Sequence, residues 1–175
     1  MKKIKENKKV FWITGLSGSG KSAIGKAILP KIQKKFGNTI LINGDDIRNI
    51  FNMKGYDKSY RVNIGKSYFN LCLFLLKQNY NVIFTTVGLW HDLQKYNRLK
   101  GKKKYIEIFI KTDIKKLVKR KSKFFYRKKV KNVVGLNIKP EFPKKPDIEI
   151  KNNFKKKISK LSKELLSKIN EKFNL

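Results

Sequence analysis

Short apolar runs alternate with longer amphipathic segments along this chain. The short runs are rich in β-branched and aromatic residues and cover residues 10–14, 39–43, 81–87, 105–111 and 147–150. Each has the length and composition of a buried strand. Strands that alternate with helices at this spacing favour an α/β fold, a parallel sheet with helices on both faces.

Apolar residues at steps of three and four predict helices between these strands. The predicted helices cover residues 21–36, 59–78, 92–99, 113–121 and about 153–173. Pro30 predicts a kink or an early stop of the first helix near Leu29, and Asp113 is a suitable N-cap residue. We expect the last helix, which is amphipathic, to dock on the protein's own sheet, with a dimer contact or a membrane surface as the alternative.

Length and composition indicate one domain, residues 1–175, with a basic N-terminal extension at residues 1–9. The chain has 44 Lys and Arg against 12 Asp and Glu, a formal charge of +32. The lysines are spread along the whole chain, and Lys, Asn and Ile dominate wherever coding sequence is rich in A and T. Nucleic-acid footprints are usually localised, so this charge does not by itself predict a nucleic-acid partner.

Apolar runs and cysteine usage indicate the compartment. The apolar run after the basic extension is shorter than that of a secretory signal, and the other runs are shorter than a membrane span. The single cysteine, Cys72, lies in the apolar run LCLFLL and is expected to be a buried thiol. These features favour a cytoplasmic protein without membrane contact.

One motif carries a specific chemistry. The stretch GLSGSGKS matches the phosphate-loop pattern G-x-x-x-x-G-K-[ST] and lies between a predicted strand and a predicted helix, the context that such a loop requires. Backbone N–H groups and the helix N-terminus bind phosphate oxygens, while Lys21 reaches the β and γ phosphates and Ser22 ligates Mg²⁺. The sequence thus predicts a nucleoside triphosphate bound by Gly15, Leu16, Ser17, Gly18, Ser19, Gly20, Lys21 and Ser22.

The stretch INGDDIR follows the second predicted strand, whose end lies at the same edge of the sheet as the phosphate loop. Phosphoryl transfer needs a carboxylate that accepts the proton of the attacking hydroxyl or holds metal, and we assign this role to Asp45. We expect Asp46 to cap the helix that follows. Arg48 and Arg61 are placed to hold an anionic acceptor.

Four ordered motifs, FWITGLSGSGKS, INGDDIR, GYDKSYR and KNVVGLNIKPEFPKKPDIEI, together resemble the adenylylsulfate kinase family over roughly residues 8–150. The resemblance implies a P-loop nucleoside-triphosphate hydrolase/kinase fold. It also implies a reaction of sulfate assimilation in which ATP phosphorylates adenylyl sulfate (APS) to its 3'-phosphate (PAPS).

The same resemblance assigns roles to individual residues. It makes Asp45 the main acidic residue, places Tyr56 against the base of the acceptor, and places Tyr126 in the lid motif. It also implies the acceptor-binding positions Arg48, Tyr56, Arg61, Arg98 and Val133.

The chain departs from the family pattern at several places, among them residues 88–91, which stand where the family has Ser-Pro-Tyr-Arg, and a shortened segment after the lid. Asn43 stands where the family has the first Asp of Asp-Gly-Asp, the lid segment 120–126 is altered, and Val133 replaces a Phe that stacks on the base. Loss of one stacking face costs about 1–3 kcal/mol, which is enough to change base preference. A divergent branch of the family, found with surface-polysaccharide genes and associated with phosphorylation of cytidine diphosphoramidate, is similar at residues 90–92, 97–98 and 132–135.

We therefore expect an ATP-dependent kinase that phosphorylates a ribose hydroxyl of an activated nucleotide. Adenylyl sulfate is the first acceptor and cytidine diphosphoramidate is the alternative. Catalysis is assigned to Lys21 and Asp45, and Mg²⁺ to Ser22 and Asp45. The alternative of another class is a nucleic-acid-associated or catalytically inactive P-loop binding protein. The expected partner is a small nucleotide; nucleic acid is not expected, and a homodimer is left open.

Overall fold

A computed structural model of the chain describes residues 8–120 and 131–174. Within these residues one sheet is formed by β1 (Val10–Thr14), β2 (Thr39–Asn43), β3 (Asn81–Thr86), β4 (Tyr105–Lys111) and β5 (Ile148–Lys151). All strand pairs of the sheet are parallel, and the order is β2-β3-β1-β4-β5. The predicted α/β class and the strand positions are confirmed.

The helices of the described residues alternate with these strands. They are α1 (Lys21–Phe36), α2 (Gly44–Ile50), α3 (Lys58–Lys77), α4 (His91–Gly101), α5 (Ile114–Arg120) and α6 (Ile158–Phe173). Asp113 precedes α5, and its carboxylate accepts a hydrogen bond of 2.7 Å from the Lys115 N–H, as expected of an N-cap residue.

Of the two alternatives predicted at Pro30 the early stop is wrong, and the predicted start of the last helix is wrong as well. Helix α1 does not stop at Leu29 but continues through Pro30 to Phe36; Pro30 is exposed, so water can bond the carbonyl that the proline leaves without an intrahelical donor. Helix α6 begins later than predicted because Asn152 and Asn153 accept hydrogen bonds from the backbone N–H groups two residues ahead, of 2.9 and 3.0 Å, which favours turns over helix.

Side chains of the strands alternate between two apolar layers, one on each face of the sheet. On one face Ile13 and neighbouring residues pack against Ile24 of α1 and against Leu161 and Leu165 of α6. On the other face Trp12 stacks on Phe84 with ring centroids 4.8 Å apart, in a layer that α3, α4 and α5 cover with, among others, Phe69, Cys72, Leu93 and Leu117. Helices therefore cover both faces, and α6 docks on the protein's own sheet as predicted.

Burial of Cys72 is complete, and it raises the pKa of the thiol well above its ordinary value. The prediction of a buried structural thiol is therefore confirmed. Among the helices of the described residues, none combines the length and the apolar composition that crossing a membrane requires.

Candidate active site

The turn between β1 and α1 carries the phosphate-loop motif. A Cβ atom at Gly15 would lie 2.6 Å from the Ile110 carbonyl oxygen, so only glycine lets β4 approach this closely. Gly20, the N-cap residue of α1, has a left-handed φ of 94°. The Lys21 ammonium donates a hydrogen bond of 2.8 Å to the Leu16 carbonyl. The loop is thus curved around the N-terminus of α1, as phosphate binding requires.

A cavity of about 220 Å³ lies at this end of the sheet. It brings together the three side chains to which the sequence assigns catalysis and metal binding, namely Lys21, Ser22 and Asp45. Asp45 reaches the cavity because β2 ends at Asn43 and the chain then turns into α2. The further lining residues are Ser17, Gly18, Gly20, Ala23, Asn43, Thr85, Thr86 and Val87.

Asn43 joins two parts of this cavity wall by hydrogen bonds. The Thr85 hydroxyl donates to Asn43 Oδ1 at 2.6 Å, and Ser22 Oγ lies 3.4 Å from Thr85 Oγ1. On its other side Asn43 Nδ2 donates to Asp46 Oδ2 at 2.9 Å. An amide can accept on one side and donate on the other, whereas a carboxylate at this position could only accept and would face Asp46 with like charge. The departure from Asp-Gly-Asp therefore has a local structural reason.

The expectation that Asp46 caps a helix is wrong. Asn43 occupies the N-cap position of α2, and Asp46 lies in its first turn. A carboxylate in the first turn interacts favourably with the helix dipole without being the cap. The hydrogen bond from Asn43 further fixes its side chain on the exposed surface.

Arg48, Tyr56 and Arg61 form a second group of predicted site residues. Arg48 donates hydrogen bonds to the Met53 and Gly55 carbonyls at 3.1 and 2.5 Å, and its guanidinium carbon lies 4.6 Å from the centre of the Tyr56 ring. Arg61 donates to the Tyr56 carbonyl at 2.7 Å, and its guanidinium carbon lies 5.3 Å from the same ring. Burial, and then the nearby Arg48 charge, lower the pKa of Arg61. The result is a half-exposed aromatic ring with two cations close to it, a suitable surface for an anionic nucleotide.

Residues 131–141, called the acceptor loop, carry Val133 and contact this group through Arg61. Arg61 donates a hydrogen bond of 2.5 Å to the Asn132 carbonyl. Val133 is largely buried, and its carbonyl accepts the backbone N–H groups of three following residues, Leu136, Asn137 and Ile138. Arg61 thus contacts the backbone of Asn132, the residue before Val133.

Arg98 lies elsewhere, which corrects its assignment to the acceptor. Its guanidinium forms ion pairs with Glu107 at 2.8 Å and with Asp147 at 3.2 Å, and it also donates to the Lys145 carbonyl at 2.9 Å. Glu107 is only 2% exposed. A carboxylate buried to this extent requires a partner cation, so Arg98 serves the packing of α4 against β4.

The lid motif is only partly described. Tyr126 and the other residues of 121–130 lie outside the described residues. Arg120, at the end of α5, has its guanidinium carbon 4.3 Å from the centre of the Phe154 ring.

Thr85 is a site residue that sequence reasoning missed. It ends up beside Asn43 because β3 pairs with β2 in the sheet, with Thr85 opposite Asn43 in the register. The pair of threonines at the end of the third apolar run could have predicted this position, since polar residues at the carboxyl ends of parallel strands face the ligand.

A parallel sheet of this order, a phosphate loop after its central strand and an acidic residue after β2 define a P-loop kinase. A family model described as adenylylsulphate kinase matches residues 7–151. The chain belongs to the adenylylsulphate kinase family, whose members are ATP-dependent nucleotide kinases, and it is a phosphotransferase. The predicted family and reaction class are confirmed.

Individual relatives divide between two acceptors. The chain is 35% identical over 169 residues to cytidine diphosphoramidate kinase of Campylobacter jejuni, covering 93% of this chain and 99% of the relative. It is 31% identical over 147 residues to adenylyl-sulfate kinase of Pseudomonas aeruginosa, covering 81% and 75%. The solved APS kinase of Mycobacterium tuberculosis in complex with AMPPNP and APS superposes with a TM-score of 0.82 at 22% identity, covering 93% and 98%, which supports the fold.

Proposed function

We propose that the protein transfers the γ-phosphoryl group of ATP to a ribose hydroxyl of cytidine diphosphoramidate. The observation that carries this proposal is the match to the Campylobacter jejuni kinase over 93% of this chain and 99% of the relative. Adenylyl sulfate, the first acceptor expected from the sequence, is the second candidate. It is favoured by the family model, which is described as adenylylsulphate kinase.

The residues around Tyr56 support cytosine as the base of the acceptor. Tyr56 offers one stacking face, while the position of the second family aromatic holds Val133, whose side chain is largely buried. A single stacking face costs a purine more than a pyrimidine, because the purine has the larger ring surface to cover. Arg48 and Arg61 supply positive charge for the diphosphoramidate group beside the ring.

Phosphoryl transfer follows from the residues of the 220 Å³ cavity. The phosphate loop and Lys21 hold the β and γ phosphates in place. The acceptor hydroxyl oxygen forms a bond to the γ phosphorus, the bond from that phosphorus to the β,γ-bridging oxygen breaks, and ADP leaves. Asp45 takes the proton of the attacking hydroxyl.

The oxygen groups of the cavity also fit Mg²⁺. Ser22 and Asp45 line the same cavity, and hydroxyl and carboxylate oxygens are the ligands that this hard cation prefers. When bound, Mg²⁺ neutralises charge on the phosphate oxygens. Asn43, as a neutral group, adds no further negative charge here.

An acceptor screen tests the proposal. ADP release is measured with ATP and Mg²⁺ against cytidine diphosphoramidate, adenylyl sulfate, a plain nucleoside monophosphate and single-stranded DNA, with Lys21→Met as the background control. We expect kcat/KM for cytidine diphosphoramidate to exceed that for adenylyl sulfate by about 10-fold or more, because loss of one stacking face costs about 1–3 kcal/mol. A preference for adenylyl sulfate would overturn the proposed acceptor. Stimulation by DNA alone would favour the nucleic-acid-associated alternative.

A further inference from the structure

We infer that Glu141 is a positioning residue that fastens the acceptor loop to α3 and α4 and thereby sets the affinity for the nucleotide acceptor. This inference rests on the proposed function, because it takes the group around Tyr56 and Val133 as the acceptor site. Glu141 lies at the end of the acceptor loop, and neither the phosphate cavity nor the group around Tyr56 includes it.

Both the side chain and the backbone of Glu141 contact other elements. Its carboxylate accepts a 2.7 Å hydrogen bond from the His91 N–H at the start of α4 and forms an ion pair with Lys58 at the start of α3. Its backbone N–H donates to the Leu89 carbonyl at 3.0 Å, and its carbonyl accepts from Gln94 Nε2 at 2.9 Å. One residue therefore joins the end of the loop to two helices and to the turn before α4.

The charges at this junction favour the contact. The hydrogen bond from Lys58, and then that from the His91 N–H, lower the pKa of the Glu141 carboxyl below its ordinary value. The carboxylate is thus charged at neutral pH, where it also lies at the positive end of the α4 helix dipole. The His91 ring Nε2 lies 3.1 Å from the Phe142 carbonyl and adds a contact just beyond the loop.

The other end of the acceptor loop is held by the acceptor site itself. Arg61, which flanks the Tyr56 ring, donates to the Asn132 carbonyl. Between the two ends the loop is stiffened internally: Gly135 N–H donates to Ile138 O at 2.8 Å, and Asn137 Oδ1 accepts from Val133 N–H at 3.2 Å. A stiff loop transmits a displacement at Glu141 to Val133, whereas a flexible loop would absorb it.

The turn that receives Glu141 directly follows residues that line the phosphate cavity. Thr85, Thr86 and Val87 line that cavity, and the chain continues directly to Leu89 and His91, which Glu141 bonds. A short segment of backbone therefore connects the wall of the phosphate cavity to the residues that Glu141 bonds. This geometry places the acceptor at a fixed position relative to the transferred phosphate, which is the main requirement of phosphoryl transfer.

Two variants of Glu141 and one matched control test the inference. Glu141→Ala removes the ion pair and the hydrogen bond to His91, whereas Glu141→Gln keeps an acceptor oxygen and removes only the charge. Glu164→Ala is the control, because Glu164 forms a similar pair with Lys156 at 2.7 Å on α6, and the two carboxylates are 30% and 26% exposed. Steady-state kinetics give KM for acceptor and for ATP, and amide hydrogen exchange reports on residues 135–138 and on His91.

For Glu141→Ala we expect the acceptor KM to rise by about 10-fold, as loss of a hydrogen bond to a charged group allows. We expect the ATP KM to change less than about twofold, because the phosphate loop is untouched. Amide exchange at residues 135–138 and at His91 should become faster in the same variant. Glu141→Gln should lie between the wild type and Glu141→Ala, and Glu164→Ala should match the wild type in every measurement.

Three outcomes would count against these proposals in different ways. Unchanged exchange in Glu141→Ala would overturn the inference whatever the acceptor is. Faster exchange with an unchanged acceptor KM, or with an equal rise of both KM values, would overturn the link between loop and acceptor. If the wild type uses none of the tested acceptors, the proposed function fails, and exchange alone then decides whether Glu141 holds the loop.

Discussion

At the scale of single residues, Asp45 and Asp46 are neighbours in the chain with different surroundings. Asp45 lines the phosphate cavity. Asp46 lies on the exposed first turn of α2, and its carboxylate accepts a hydrogen bond from the Asn43 side-chain amide. The two carboxylates therefore form a matched pair for testing catalysis against local structure.

We predict that Asp45→Asn lowers kcat by about 10²–10⁴-fold, because the acceptor hydroxyl loses its proton acceptor. Asp46→Asn should leave kcat within a few-fold of the wild type, since its contacts are with Asn43. Single-turnover phosphoryl transfer at saturating ATP is the measurement. Equal losses in both variants would contradict the separate roles given to these residues.

The sequence predicted the residues of the phosphate cavity that carry chemistry, but not the residues that hydrogen-bond within its wall. Lys21, Ser22 and Asp45 follow from motif spacing alone, because the loop and the end of a parallel strand have fixed geometry. Thr85 does not, since its contact with Asn43 depends on which strand pairs with β2. Arg98 matched a family position, but a motif does not show whether a cation is already paired inside the protein.

At the scale of elements, Arg98 joins α4, β4 and the segment that leads into β5. Burial raises the pKa of Glu107, although the Arg98 charge and hydrogen bond oppose this rise. The Glu107 N–H also donates to Asp147 at 2.9 Å. The signal for this cluster was present in the sequence as one glutamate inside the apolar strand YIEIFIK, which requires a cation from another element.

We predict that Arg98→Met destabilises the protein by about 1–3 kcal/mol, less than a fully buried pair would cost, because the Arg98 side chain is 42% exposed. The folded-state pKa of Glu107 is already raised, so its charged form disfavours folding above that pKa. The penalty of the variant should therefore shrink as the pH is lowered from about 8 to about 5 and Glu107 takes up a proton.

Urea denaturation at both pH values measures this effect, with exposed Lys100→Met on the same helix as the control. The acceptor KM of Arg98→Met should stay within about twofold of the wild type. A large rise in KM without loss of stability would restore Arg98 to the acceptor site.

Helix α1 gives a second test at this scale. Pro30 lacks the N–H that would bond the Lys26 carbonyl, yet the helix continues through it. We predict that Pro30→Ala stabilises the protein by about 1–3 kcal/mol, because alanine forms the missing hydrogen bond of the helix. Alanine also gives the unfolded chain more conformational entropy, and this effect reduces the gain in stability. Urea denaturation measures the change, and exposed Lys34→Ala on α1 should stay within about 0.5 kcal/mol. A destabilised Pro30→Ala would show that the proline itself is packed favourably.

The strength of the apolar pattern explains why elements were predicted better than their ends. Runs such as VFWIT are buried on both faces and have few alternatives to a strand. The start of α6 depends on asparagine side chains that bond the backbone locally, and periodicity does not report such bonds.

At the scale of the whole molecule, one sheet separates two apolar layers. Leu165 belongs to the layer under α1 and α6, and Cys72 to the layer under α3. Both side chains are fully buried. Because both layers rest on the same strands, we expect them to unfold together, as the single domain predicted from the sequence would.

Cysteine labelling tests this cooperativity across the sheet. Leu165→Ala should cost about 2–5 kcal/mol and should speed labelling of Cys72 by about 30-fold or more in native buffer, although the two residues lie on opposite faces. Exposed Lys163→Ala should leave the labelling rate unchanged. Unchanged labelling in a destabilised Leu165→Ala protein would show that the two layers open separately.

The acceptor loop offers a route by which enzymes of this kind can change their substrate. Its bonds from Arg61 and through Glu141 hold its two ends, while its internal bonds give it a shape of its own. Mutations between these ends can alter the surface offered to a nucleobase without disturbing the sheet or the phosphate loop. A duplicated gene can therefore acquire a new substrate through a few substitutions in one surface segment while it keeps an old catalytic centre.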